Sequence, residues 1–170
     1  MKRLIRKIYV KWLCLIGKAI DISSTSKFPA GYLSNFTPYK FTFRGFEFTS
    51  MESLLQGLKF ETVETQNGVF ERVGVKAKLR GKKRKWYLDQ TLYWQGTPMK
   101  RDSEEYKNIV REAFYALAEN IDFQQTLLAT GDKRLYHTMG KSDPTRTILT
   151  EEEFCGILTE VRTSLKERRI

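Results

Sequence analysis

The stretch YKFTFRGFEFTSMESLLQGLKF, residues 39–60, decides how this chain reads. Phe41 and Phe43 alternate with polar residues, Phe46 and Phe48 do so again, and Arg44-Gly45 stands between the two runs. Period-two alternation on either side of a two-residue, glycine-containing turn predicts a β-hairpin with one aromatic face turned to a core. Directly after it the period changes. Met51, Leu54, Leu55 and Leu58 mark an apolar helical stripe, and Thr49 precedes Glu52 with the T-x-x-E spacing of a capping box. On spacing alone, Glu52 is the glutamate that closes that box. Glu52, Gln56 and Lys59 then share one polar side at i, i+4 and i+7.

Working outward, residues 21–31 are rich in Ser, Thr, Pro and Gly and predict a loop. A second helical stretch runs through Val69, Phe70, Val73 and Ala77 and ends in a basic loop around Gly81. The strongest helical pattern covers residues 102–119, with Asp102 as cap and Glu105 at the matching offset. A short helix over 123–129 stops at Thr130-Gly131, and the last helix starts at Thr150, with Glu153 three residues on. The sum is an α+β chain: a mainly helical single domain with a small antiparallel hairpin or sheet. Residues 1–18 form a basic N-terminal extension, and residues 19–170 form the domain.

The 170 residues carry a net charge of +10, unevenly placed. Residues 1–20 hold six basic side chains and no acid, and residues 76–101 hold nine basic side chains against one acid, Asp89. The rest is slightly acidic, so the two blocks need explaining rather than the average. Two cysteines, Cys14 and Cys155, form no disulfide framework and fit a reducing, cytoplasmic setting. With no CxxC pair and a single imidazole, His137, a Cys/His zinc site is excluded and no metal is expected. Lys7 and Lys11 interrupt any signal-peptide core, and the uncharged run at 12–17 is far too short to span a bilayer. Leu4, Ile5, Ile8, Trp12 and Leu15 sit near helical spacing. The plainer reading is a helix or strand packed on the domain with a solvated basic face. The other is a basic amphipathic helix for a membrane or nucleic-acid surface.

No Walker loop, GxGxxG, GxSxG or HExxH is present. A lone His137 beside Tyr136 reads as structural, which disfavours Ser/His and Cys/His catalysis. Asp143, in GKSDPTR, reads as a turn-initiating residue before Pro144. Trp94, just past the basic block, is either a core tryptophan or a base-stacking platform. KLRGKKRKW, residues 78–86, is the densest charge run, and Gly81 within it would let backbone N–H groups approach a phosphate.

Taken together, GYLSNF (31–36), SMESLLQGLKF (50–60), the basic run, LYWQG (92–96) and LLATGDKRL (127–135) resemble the NADAR, or YbiA-like, family over roughly residues 19–165. The resemblance implies a mainly helical α+β fold and hydrolysis of N-glycosidic bonds to ribose without a cofactor. Family substrates are phosphorylated riboflavin-pathway intermediates and ADP-ribose attached to guanine in nucleic acid. Glu52 then corresponds to the family's catalytic glutamate, Ser34 and Asn35 to its SNF element at the ligand pocket, Lys59 to the end of the same motif, and Trp94 to the pocket tryptophan. Asp143 stands where many members carry an aspartate, but no Trp-Gly follows it in GKSDPTRTILTEEEF, residues 140–154. Gly81 and Lys82 would bind the phosphates. The expected partner is an anionic, nucleotide-type substrate, free or on nucleic acid. The readings in competition are ADP-ribosyl-guanine hydrolysis, the same chemistry on small phosphorylated metabolites, and a non-catalytic ADP-ribose or nucleic-acid-binding module.

Overall fold

A computed structural model describes residues 2–168. The chain runs α1 (Lys2–Leu15), β1 (Ala19–Asp21), β2 (Phe41–Phe43), β3 (Phe46–Phe48), α2 (Met51–Gly57), α3 (Val63–Phe70) and α4 (Gly74–Lys82). A 3-10 turn at Trp86–Leu88 follows, then β4 (Thr91–Trp94), β5 (Thr97–Lys100), α5 (Glu104–Leu117), α6 (Ile121–Leu128), β6 (Arg134–Tyr136) and α7 (Glu151–Glu167). The fold is α+β and mainly helical, as the alternation and periodicity predict. Among the described residues, no helix is long and apolar enough to cross a membrane.

The aromatic hairpin forms in the expected register, Phe41 opposite Phe48 and Phe43 opposite Phe46. Both residues of its turn take positive φ, Arg44 at 48° and Gly45 at 82°, the geometry that matches the twist of the flanking strands. Phe41 stacks on Phe48, and Phe48 packs at a tilt against Phe70, so the hairpin closes over α2 and α3. Two pairings go beyond the expected antiparallel hairpin. Gln95-Gly96 repeats the same turn chemistry and joins β4 to β5. β1 pairs in parallel with β6, more than a hundred residues away, a contact that no local pattern encodes.

Helix starts shift by one residue at two places. The cap of α2 is Ser50, not Thr49: Ser50 and Ser53 bond each other reciprocally, while Thr49 turns to the Phe70 carbonyl. Ser103 rather than Asp102 caps α5. The Thr150–Glu153 box at α7 is as predicted. The stretch from Val69 to Ala77 is two helices, broken where Gly74 takes φ +46°. A β-carbon there would lie 2.7 Å from the Phe36 carbonyl oxygen, so that position takes only glycine without strain. The basic segment around Gly81 is only partly a loop: Lys78–Lys82 form the last turns of α4, and Lys83–Lys85 run on outside the helix.

The main core joins α2, α5, α6 and α7 with the hairpin, through Leu54, Leu58, Phe114, Phe154 and Leu158. Helix α1 stands apart from it. Among its described side chains, only Val10 and Leu13 are buried, in a small cluster with Ala19 and Tyr136. Arg6 forms a two-pronged ion pair with Glu151, at 2.8 and 2.7 Å. The apolar stripe read from the sequence is not the docking face.

Candidate active site

Because Ser50 and Ser53 complete the cap, Glu52 lies one position short of the box and its carboxylate is free of the helix terminus. It turns into a cleft of about 510 Å³ walled by the 34–36 loop, α2, α4, the Trp86–Tyr87 turn and the 137–150 segment. Its own backbone N–H donates to the Asn35 carbonyl at 2.9 Å, which ties the SNF loop to the first turn of α2. Glu52 is 4% exposed. Its Oε1 accepts from Gln56 Nε2 at 2.8 Å and faces Lys78 Nζ at 3.3 Å. The other end of the Gln56 amide accepts from Lys59 Nζ at 2.7 Å. A charged partner at each end fixes the orientation of this buried amide.

Burial pushes the Glu52 carboxyl above its ordinary range, against the pull of Lys78, Gln56 and Lys59. The N-terminus of α2 favours the ionised form, but desolvation outweighs it here. Burial, with the like charge of Lys78, also lowers Lys59 to about 8 against the pull of Glu52. A carboxyl raised and an amine lowered, joined by one amide at the floor of a cleft, is an arrangement typical of sites that move protons or stabilise charge.

Of the residues singled out in the sequence, the cleft brings together Ser34, Asn35, Glu52, Lys59, Lys82 and His137. Three others lie elsewhere. Gly81 packs face to face with Gln56: a β-carbon would fall 2.1 Å from Gln56 Oε1, so its hydrogen side chain lets α4 approach α2 rather than a phosphate. Trp94 packs against Phe43, Phe46 and Phe70, under the Arg44 guanidinium, and is not among the cleft residues. Asp143 is exposed, accepts from Thr145 at 2.9 and 2.6 Å, and faces a neighbouring open cleft beside α7 that shares Gly140, Lys141 and Arg146 with the Glu52 cleft. The turn reading of Asp143 accounts for both of its contacts.

The cleft also holds groups from the basic run, and others that the motifs did not name. Lys78, Arg84, Lys141 and Arg146 join Lys59 and Lys82 around it, and Trp86 and Tyr87 supply an aromatic wall. Arg146 lies over the Tyr87 ring at 5.0 Å. Trp86 closes the quoted run KLRGKKRKW, so an aromatic directly after a basic helix was the available signal; Lys141 and Arg146 carried none. The basic run itself divides. Lys78 meets Glu52, Arg80 and Arg84 lie over Phe60 at 4.9 and 5.2 Å, Lys82 and Arg84 face the cleft, and Lys83 is exposed outside it.

Buried contacts anchor the far wall. Arg101, 2% exposed, donates to Glu153 at 2.6 Å and to the Thr147 carbonyl at 3.1 Å. Thr138 bonds both oxygens of Asp21, and His137 Nδ1 sits 2.7 Å from the Ile22 carbonyl. A carbonyl can only accept, so Nδ1 carries the proton, which fixes the imidazole where it lines the cleft. Burial pushes the Cys155 thiol up to about 12, which favours the protonated form. Among the described residues, no group of three or more His, Cys, Asp and Glu is placed to hold a metal ion.

The fold resembles the solution structure of the Escherichia coli protein YbiA. The TM-score is 0.62 at 17% identity, covering 89% of this chain and 88% of that one. That is the fold the NADAR resemblance implied. In sequence, the chain is 35% identical over 152 residues to an uncharacterised 17.1 kDa protein of Enterobacteria phage T4, from the Gp30-rIII intergenic region. The match spans 86% of this chain and 98% of the phage protein. The family model described as Bacteriophage protein GP30.3 matches residues 27–163, and the chain, folded like YbiA, belongs to that family.

Proposed function

We propose that this protein is an N-glycosidase that hydrolyses the bond between a ribose and a nucleobase nitrogen, with ADP-ribosyl-guanine on nucleic acid as substrate. The observation that supports this most is the buried Glu52 at the floor of a cleft ringed by six cations, Lys59, Lys78, Lys82, Arg84, Lys141 and Arg146. Breaking a glycosidic bond builds positive charge on the anomeric carbon, and a carboxylate beside it stabilises that charge or activates the attacking water. The ring of cations suits the two phosphates of an ADP-ribosyl group. Asn35 and Ser34 are placed to orient ribose hydroxyls, and the Trp86–Tyr87 wall offers an aromatic surface for a base.

A second reading, with a small phosphorylated nucleotide as the whole substrate, draws support from the cleft volume, which suits one nucleotide-sized ligand. One experiment separates the two. The protein is incubated with an oligonucleotide carrying ADP-ribosylated guanine, with free ADP-ribosyl compounds and with phosphorylated riboflavin-pathway intermediates, and products are read by mass spectrometry. Release of ADP-ribose with restoration of the unmodified oligonucleotide is the expected result. Cleavage of the small compounds alone selects the second reading. Binding without cleavage of any of them refutes glycosidase activity and leaves a binding module.

A further inference from the structure

Helix α1 uses one side to dock and exposes its apolar side to solvent. Leu4, Ile5, Ile8, Tyr9, Trp12 and Leu15 are each between 52% and 78% exposed. At about 100° per residue they fall, with Ile16, on a single arc of roughly 140°. The docking residues Arg6, Val10 and Leu13 lie on the opposite side, where Val10 and Leu13 already complete their own small cluster. The outward stripe is therefore not needed to close the core. Its size and continuity exceed the scattered apolar residues of an ordinary surface.

The charges around the stripe choose its partner. Residues 1–20 contain no acid, and the exposed Lys7 and Lys11 border the stripe along one edge, with Lys18 just past the helix end. A second copy of the chain would bring cation against cation, with no acid on α1 to answer it. Nucleic acid needs the cations at the centre of the contact, and here the centre is Leu, Ile and Trp. An anionic lipid surface fits both features, with apolar side chains and the stacked Tyr9–Trp12 pair at the acyl boundary and lysines reaching the headgroups.

We propose that α1 is an interfacial anchor that lays its outward face on anionic bilayers. The proposal is independent of the glycosidase reading, because none of these outward side chains lines the cleft. The test is flotation of the full chain with vesicles of phosphatidylcholine alone and with roughly one-third phosphatidylglycerol, at low and high salt. Recovery with the anionic vesicles should exceed that with the neutral ones by about tenfold and fall with salt. Ile8→Glu with Trp12→Glu should abolish it while the melting temperature and circular dichroism stay nearly unchanged, since both side chains are more than half exposed and neither belongs to a core cluster. Lys7→Glu with Lys11→Glu should remove the preference for anionic lipid. Equal recovery with both vesicle types overturns the proposal, as does binding that survives Ile8→Glu with Trp12→Glu. A dimer in solution that Ile8→Glu dissociates also overturns it, and so does retention on a DNA oligonucleotide that the same substitution abolishes.

Discussion

Replacing Glu52 by Gln separates the two roles that its position allows. The isosteric amide fits the same buried volume, and its carbonyl still accepts from Gln56 Nε2, now at 2.8 Å from Oε1. The ion pair with Lys78 is lost, but Lys78 is half exposed, so that loss is about 1 kcal/mol or less. Lys59 keeps its 2.7 Å bond to Gln56, and removing a desolvated carboxylate relieves the penalty that holds its pKa up. These effects oppose each other, so stability should change by no more than about 1 kcal/mol, roughly 2–4 °C in Tm for a domain of this size. The catalytic loss should be far larger. Losing a positioned carboxylate costs about 10²–10⁴ in rate, or roughly 3–5 kcal/mol in the barrier. The assay is single-turnover release of ADP-ribose from the modified oligonucleotide, run beside a thermal melt. Activity within a few-fold of the parent would refute the catalytic assignment. A collapse in Tm would show instead that the carboxylate is structural.

The remaining predictions probe the network and the walls. Gly81→Ala places a β-carbon against Gln56 and should cost about 1–3 kcal/mol, with a drop in kcat beyond what the lost folded fraction explains. Lys82→Ala and Arg84→Ala should each raise KM and weaken its salt dependence, whereas Lys83→Ala, outside the cleft, should leave both unchanged. Arg101→Met breaks a buried pair and should cost about 3 kcal/mol, a fall of roughly 10 °C in Tm, by differential scanning calorimetry. Lys59 is lowered from 10.5 to about 8 in the folded protein, so between those values the unfolded chain binds more protons. Native stability therefore rises with pH across that window, by on the order of 3 kcal/mol, and Lys59→Met should flatten the rise in urea titrations.

The elements that could be read from sequence are those whose information is local. The Phe41–Phe48 hairpin carries its own alternation and turn, and α7 carries its own cap in Thr150 and Glu153. What escaped depends on distant partners. Leu135 gives no sign that it will lie beside Ile20, and Gly74 reads as an ordinary helix residue until the Phe36 carbonyl is seen against it. The basic run hides its helical half because so few of its side chains are apolar: the helix is held through Ala77, clustered with Phe60 and Val69, and through Gly81, packed against Gln56.

The site divides in the same way, and a one-residue offset in the cap makes the difference. Had Thr49 been the cap, Glu52 would have reached back to the chain entering the helix, and its carboxylate would have been spent on that N–H. With Ser50 and Ser53 satisfying each other, the first turn needs nothing from Glu52, and the side chain one position earlier points inward. Serine at both positions is thus what releases an acid into a cleft. This makes Ser53 a sharper probe of the site than its distance from any substrate suggests. Ser53→Ala removes the bond to the Ser50 N–H without touching the cleft. If the vacated donor draws the Glu52 carboxylate back toward the helix terminus, activity falls while the fold persists, and Ser53→Thr, which keeps the hydroxyl, restores it. Unchanged activity in Ser53→Ala would mean that Gln56 and Lys78 alone hold the carboxylate in place.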